Sequence, residues 1–214
     1  MRTRRKNISR DQLQYYDKYV CTNPENYKSK WNEYFLNNNE IHIELGTGRG
    51  QFLITLAERN PDINFIGLEM KEQLVFNAVQ KVESKKLDNI GFLFFNAYNI
   101  QQIFGTQELS RIYINFCDPW PKKRWSKKRL THKNFLTIYN KLLKEDADIH
   151  FKTDNEKLFE FSLNEFCENA YKLKNISFDL HSSDATEIIT TEYEDKFVSK
   201  GMRIYRCEAI NRLG

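Results

Sequence analysis

Four short apolar runs, each ending near a polar residue and most followed by a helical pattern, constrain the fold of this chain most tightly. They are Ile41-His42-Ile43-Glu44-Leu45, the segment from Ile63 to Glu69, Ile90-Gly91-Phe92-Leu93-Phe94-Phe95, and Ile112-Tyr113-Ile114-Asn115-Phe116. The third is apolar on both faces, as a strand inside a parallel sheet must be. Between them, Phe52, Leu53, Leu56 and Ala57, and then Leu74, Val75, Ala78, Val79 and Val82, recur at helical spacing. The same patterning predicts helices near 131–143 and 156–170 and strands near 147–152, 175–181 and 202–209. Strands alternating with helices make an α/β fold: a doubly wound, mostly parallel seven-stranded sheet with helices on both faces.

In such sheets ligands sit beyond the carboxyl ends of the strands. Glu44, Glu69, Asn96, Asp118 and Asp154 all fall at or just after expected strand ends. Five polar residues reaching one edge by separate routes point to one active site there. The chain divides into a basic N-terminal arm and lead-in segment, 1–37, and one domain, 38–214.

The first strand runs into Gly46-Thr47-Gly48-Arg49-Gly50, where glycines let the backbone turn sharply and approach a ligand. A dinucleotide fingerprint needs its third glycine at the sixth position, and Gln51 stands there instead. An acid before G-x-G-x-G suits a phosphate-free ligand with a cationic amino-acid tail, such as S-adenosylmethionine. Glu69 is placed to accept hydrogen bonds from ribose hydroxyls, or to cap the helix that follows. Asn96, with Ala97 after it, is placed to meet the adenine amino group, or simply to make a turn. Asp118-Pro119-Trp120-Pro121 resembles the loops that hold a planar base beside a methyl donor; its two prolines stiffen it.

Charge is concentrated. Residues 1–6 hold four cations (Arg2, Arg4, Arg5, Lys6) and residues 122–129 hold six, with no acid in either segment. The rest of the chain keeps 23 basic residues against 29 acidic ones, a balance of −6. An acidic body with two basic patches suits directed contact with a polyanion. Trp125 within Lys122-Lys123-Arg124-Trp125-Ser126-Lys127-Lys128-Arg129 adds a stacking platform to the phosphate contacts. Thr153-Asp154-Asn155 offers a second carboxylate or a helix cap. Thr191 and Glu194 have capping-box spacing. The four histidines are dispersed, and the four cysteines are scattered without a C-x-x-C pair, which argues against a metal site or a disulfide framework. No apolar stretch approaches a membrane span, so the expectation is a cytoplasmic protein, monomer or homodimer.

Taken together, Ile43 to Phe52, Asp118-Pro119-Trp120-Pro121-Lys122-Lys123-Arg124, Phe151-Lys152-Thr153-Asp154-Asn155 and Thr191 to Phe197 resemble the bacterial tRNA (guanine-N7)-methyltransferase family, over nearly the whole chain. The Asp118–Arg124 string is highly specific; the glycine loop alone is not. The resemblance implies a class I, Rossmann-like methyltransferase fold that uses S-adenosylmethionine to methylate N7 of a guanine in the tRNA variable loop. It implies a cofactor site at Glu44, Gly46, Gly48, Gly50, Glu69, Asn96, Ala97 and Asp118. Substrate contacts would come from Lys122, Asp154, Thr191, Glu192, Tyr193 and Glu194. Contacts to RNA would come from Arg124, Lys127, Lys128 and Arg129; apart from the resemblance, the charge of the Arg2–Lys6 arm suits a further tRNA contact. Asp118 takes the catalytic role, orienting the base and stabilising charge. Many members carry Asp where this chain has Asn96; either accepts a hydrogen bond. Three other readings stay open on the residues alone: methylation of an exocyclic amino group, a dinucleotide-dependent oxidoreductase, and an RNA-binding protein without catalysis.

Overall fold

A computed structural model describes residues 16–212. The Arg2–Lys6 arm lies outside them. Seven strands form one sheet: β1 (Glu40–Leu45), β2 (Ile63–Glu69), β3 (Ile90–Phe94), β4 (Leu109–Asn115), β5 (Leu143–Thr153), β6 (Lys172–Ser177) and β7 (Tyr205–Ile210), in the order β3-β2-β1-β4-β5-β7-β6. The pairings among β1 to β5 are parallel, and β7 runs antiparallel to both β5 and β6. The helices are α1 (Trp31–Phe35), α2 (Gln51–Arg59), α3 (Glu72–Lys85), α4 (Lys133–Leu142), α5 (Glu156–Glu168) and α6 (Glu192–Val198).

The side-chain period of two sorts each strand between two cores. Ile43 and Leu45, Ile112 and Ile114, and Ile149 and Phe151 join α4 and α5 in the larger core. On the opposite face Phe65, Phe92 and Tyr113 meet Leu53, Ala57, Val75 and Val79 of α2 and α3 in the smaller one. The lead-in segment belongs to this packing. Trp31 is buried, donates from its indole N–H to the Ile103 carbonyl at 2.9 Å, and Val20 bridges to Phe92 at the sheet edge.

Over β4, β5 and β7 the second face turns polar. Arg111 holds both oxygens of Asp148, at 2.5 and 2.9 Å, and Arg206 pairs with Glu208. His150 Nε2 lies between these acids, 3.2 Å from Asp148 and 3.8 Å from Glu208. Asp148, His150 and Glu208 come close enough to share a cation; both carboxylates are already neutralised by guanidinium groups. The long connection from β6 to β7 recrosses this face and carries α6 to the glycine loop.

Several strand boundaries differ from the sequence pattern, two of them most. The strand expected near 175–181 ends at Ser177, because its register to β7 shifts after Lys174 and Asn175 takes a left-handed φ of 49°. Leu180 then turns inward in a short 3-10 turn and is buried. The strand near 147–152 begins earlier, at Leu143, which pairs with Leu109 before a bulge. Among the described residues no helix is long and apolar enough to cross a membrane.

Candidate active site

β1 delivers Glu44 and then the glycine loop. Gly46, Gly48 and Gly50 all have φ between 58° and 80°, where a side chain is strained. At Gly50, which caps α2, a Cβ would also lie 2.9 Å from Ala78. Gly46 and Gly48 have open space on that side, which leaves the loop backbone accessible. A cleft of about 450 Å³ opens here, walled by the loop and Glu44 on one side and by Thr191, Glu192, Tyr193 and Lys196 on the other.

Glu44 is buried at the floor of the cleft. Its carboxylate accepts from the Thr47 hydroxyl at 2.6 Å and from the Asn115 side-chain amide at 2.9 Å. Burial pushes its pKa up; those two hydrogen bonds and the Lys152 charge oppose the shift. Asn115 is buried too, and its Oδ1 has no hydrogen-bond partner among the described residues. An unmet buried acceptor beside a buried carboxylate is an incomplete site, since each such atom costs about 1–3 kcal/mol. It fits a ligand that brings a cationic donor. Asn115 was not evident from the sequence; the available signal was a lone amide inside the apolar run Ile112–Phe116.

The other expected cofactor residues stand along the same edge, outside the walls of that cleft. Glu69 braces the loop: one oxygen accepts from the Gly48 N–H at 3.1 Å, the other from Met70 and Lys71 at 2.8 and 3.0 Å. Asn96 caps the 3-10 turn Ala97–Gln102 by accepting from Tyr98 N–H at 3.0 Å. Asp118 is exposed, and its carboxylate accepts no hydrogen bond from the described residues. Its loop is rigid. Arg129 donates to the carbonyls of Pro119 and Trp120, both at 3.1 Å, and stacks 4.3 Å over Phe161.

Arg129 therefore clamps the loop from behind, where the sequence pattern suggested RNA contact. The rest of the basic run faces outward along the turn Lys123–Lys128. Lys122 and Arg124 lie over Trp125 at 4.9 and 5.2 Å, Lys128 lies over Trp120 at 4.6 Å, and the two indoles meet edge to face. Lys127 is exposed beside them.

β5 ends at Thr153, and Asn155, not Asp154, caps α5 by accepting from Leu158 N–H. Asp154 stays beside the Tyr193 hydroxyl, whose pKa is raised by burial and by that carboxylate. The Thr191–Glu194 capping box is formed, with Thr191 Oγ1 accepting from the Glu194 N–H at 3.0 Å. Glu194 is placed differently from a substrate contact. It is 0% exposed and accepts from Lys152 at 2.5 Å, with His181 at 2.9 Å. Lys152 is itself buried; burial lowers its pKa, while Glu194 and Glu44 raise it. Glu192 receives Lys81 at 2.6 Å and Arg49 at 3.3 Å, tying α6 to α3 and to the glycine loop.

The comparisons agree with this architecture. A family model described as "Putative methyltransferase" matches residues 38–207. A tRNA (guanine-N(7)-)-methyltransferase of Clostridioides difficile is 57% identical, covering 99% of this chain and 100% of its own. One from Brevibacillus brevis is 52% identical over 87% and 88% of the two chains. Among solved structures, the 16S rRNA methyltransferase KamB superposes with a TM-score of 0.63 at 11% identity, covering 98% of this chain and 97% of that one. An antibiotic-related methyltransferase gives 0.62 at 16% identity, covering 85% and 92%.

Proposed function

The chain belongs to the tRNA (guanine-N7)-methyltransferase family, and we infer from that membership and from the cleft that it methylates N7 of a guanine in the tRNA variable loop, giving 7-methylguanosine, with S-adenosylmethionine as donor. One observation carries the placement of the chemistry. β1 and β4 are neighbours, so the strand that ends in the glycine loop lies beside the strand that delivers Asp118-Pro119-Trp120.

When bound, the cofactor supplies a methyl group on a positively charged sulfur. Glu44 and the orphaned Asn115 Oδ1 receive its ammonium end, Glu69 its ribose, and Asn96 with Ala97 its adenine. Guanine N7 carries a lone pair and no proton, so no side chain must act as a base before attack. Asp118 orients the guanine by accepting from its N1–H and amino group, and its negative charge stabilises the cation that develops on the ring. The Arg129 clamp and the prolines keep that carboxylate in place. Asp154 and Tyr193 form the opposite side of the base site, and Lys122, Arg124, Lys127 and Lys128 hold the RNA backbone.

A tRNA transcript built with 7-deazaguanosine tests the target atom. It lacks N7 and keeps the exocyclic amino group. No methyl transfer to it, with full transfer to the ordinary transcript, is the expected result. Transfer to both would move the reaction to an exocyclic nitrogen.

A further inference from the structure

Helix α6, Glu192-Tyr193-Glu194-Asp195-Lys196-Phe197-Val198, holds three acids and one lysine, and Lys200 follows two residues after it. The acids are all engaged within the protein. Glu192 is held by Lys81 and Arg49, Glu194 by Lys152 and His181, and Asp195 accepts from the Gln51 side chain at 3.1 Å. Lys196 and Lys200 are exposed and have no acidic partner among the described residues. Although Asp195 is exposed and only its Gln51 partner, a neutral amide, meets it, Arg49, Lys81 and Lys152 offset the other two acids, so with Lys196 and Lys200 the cations around this acidic helix outnumber its acids. Its position is fixed by aromatic contacts. Tyr193 stacks on Phe197 at 4.1 Å and meets Phe116 at 5.1 Å, just before Asp118. Lys196 lines the cofactor cleft itself.

The two sides of the mouth are then alike in charge. The turn Lys123–Lys128 packs on the side of α4 and α5, through Tyr98, whose hydroxyl donates to the Lys128 carbonyl, and through Arg129 on Phe161. α6 packs on the side of α2 and α3. Asp118 and Asp154 lie between. We propose that Lys196 and Lys200 form a second phosphate-binding wall, so that the polynucleotide crosses the mouth gripped from both faces of the sheet. This rests on the tRNA reading above. A single cationic strip would let the strand pivot about it, whereas two walls fix the direction in which the target base enters. The cations gathered around these acids are what makes this work: Glu192, Glu194 and Asp195 are set against Arg49, Lys81, Lys152, Lys196 and Lys200, which leaves positive charge in excess on this face.

The test is tRNA affinity against salt, from about 50 to about 200 mM, for the parent and for Lys196→Gln/Lys200→Gln. Each lysine that neutralises a phosphate lowers the log–log slope by about 1 when removed, so the double variant should lose about 2. Lys144→Gln, on an exposed residue at the start of β5 and the opposite edge of the sheet, should keep the parent slope. Lys200→Gln alone should lose about 1, keep cofactor affinity unchanged, and regain its slope as Lys200→Arg; this single change decides the matter if the double variant does not fold. A double or single variant with the parent slope would overturn the second wall. A parent without salt-dependent tRNA binding would instead overturn the tRNA reading itself.

Discussion

Lys152→Met removes a charge from the pair that anchors α6 and leaves Glu194 without its main partner. In the parent, the Lys152 ammonium donates to Glu194 at 2.5 Å and to the Ile189 carbonyl at 3.0 Å, and it lies 5.0 Å from the Phe52 ring centre. The side chains are 7% and 0% exposed, so solvent does not screen them. Breaking such a buried pair from one side costs about 3–5 kcal/mol, because the remaining charge stays buried. Glu194 keeps His181 at 2.9 Å and its own cap N–H at 3.4 Å, which places the cost near the lower end, about 3 kcal/mol. For a chain of this size that is a fall in Tm of about 6–12 °C. Thermal and urea unfolding followed by circular dichroism measure it. Lys152→Met/Glu194→Gln should recover more than half of the loss, since no buried charge is then left alone. A single variant within about 1 kcal/mol of the parent, or a double variant as unstable as the two single changes added, would refute the reasoning.

Other outcomes follow from the same geometry. Gly50→Ala should cost about 3 kcal/mol in urea unfolding, from its φ of 76° and a Cβ 2.9 Å from Ala78; a neutral change would show that the loop relaxes freely. Asn115→Ala should weaken S-adenosylmethionine binding about tenfold by calorimetry, the loss of one hydrogen bond to a charged group; unchanged affinity would remove Asn115 from the site. Burial lowers the His42 pKa from 6.5 to about 3, so its contribution to stability is complete above pH 6.5 and is lost as pH falls toward 3. The stability advantage of the parent over His42→Phe should shrink across that window, and a constant difference would contradict it.

The edge of the sheet was legible because each strand announces its own end. Glu44, Glu69, Asn96 and Asp118 sit where apolar runs stop, and the spacing of Thr191 and Glu194 foretold the capping box. Roles set by distant partners were not legible. Lys152 and Glu194 are 42 residues apart, and only folding shows that they neutralise each other. Arg129 looks like its basic neighbours in sequence, yet the turn before it points its guanidinium back at Pro119 and Trp120. Asn155 took the cap that the pattern left open between it and Asp154. The end of β6 was misplaced because the left-handed turn at Asn175 leaves no mark in hydrophobic periodicity.

Methyl transfer from labelled S-adenosylmethionine to unmodified tRNA, followed by nucleoside analysis, tests the central claim most directly. Label confined to 7-methylguanosine, and reduced at least a hundredfold in rate by Asp118→Asn, is the predicted result. Label in any other nucleoside, or an Asp118→Asn enzyme as fast as the parent, would contradict it.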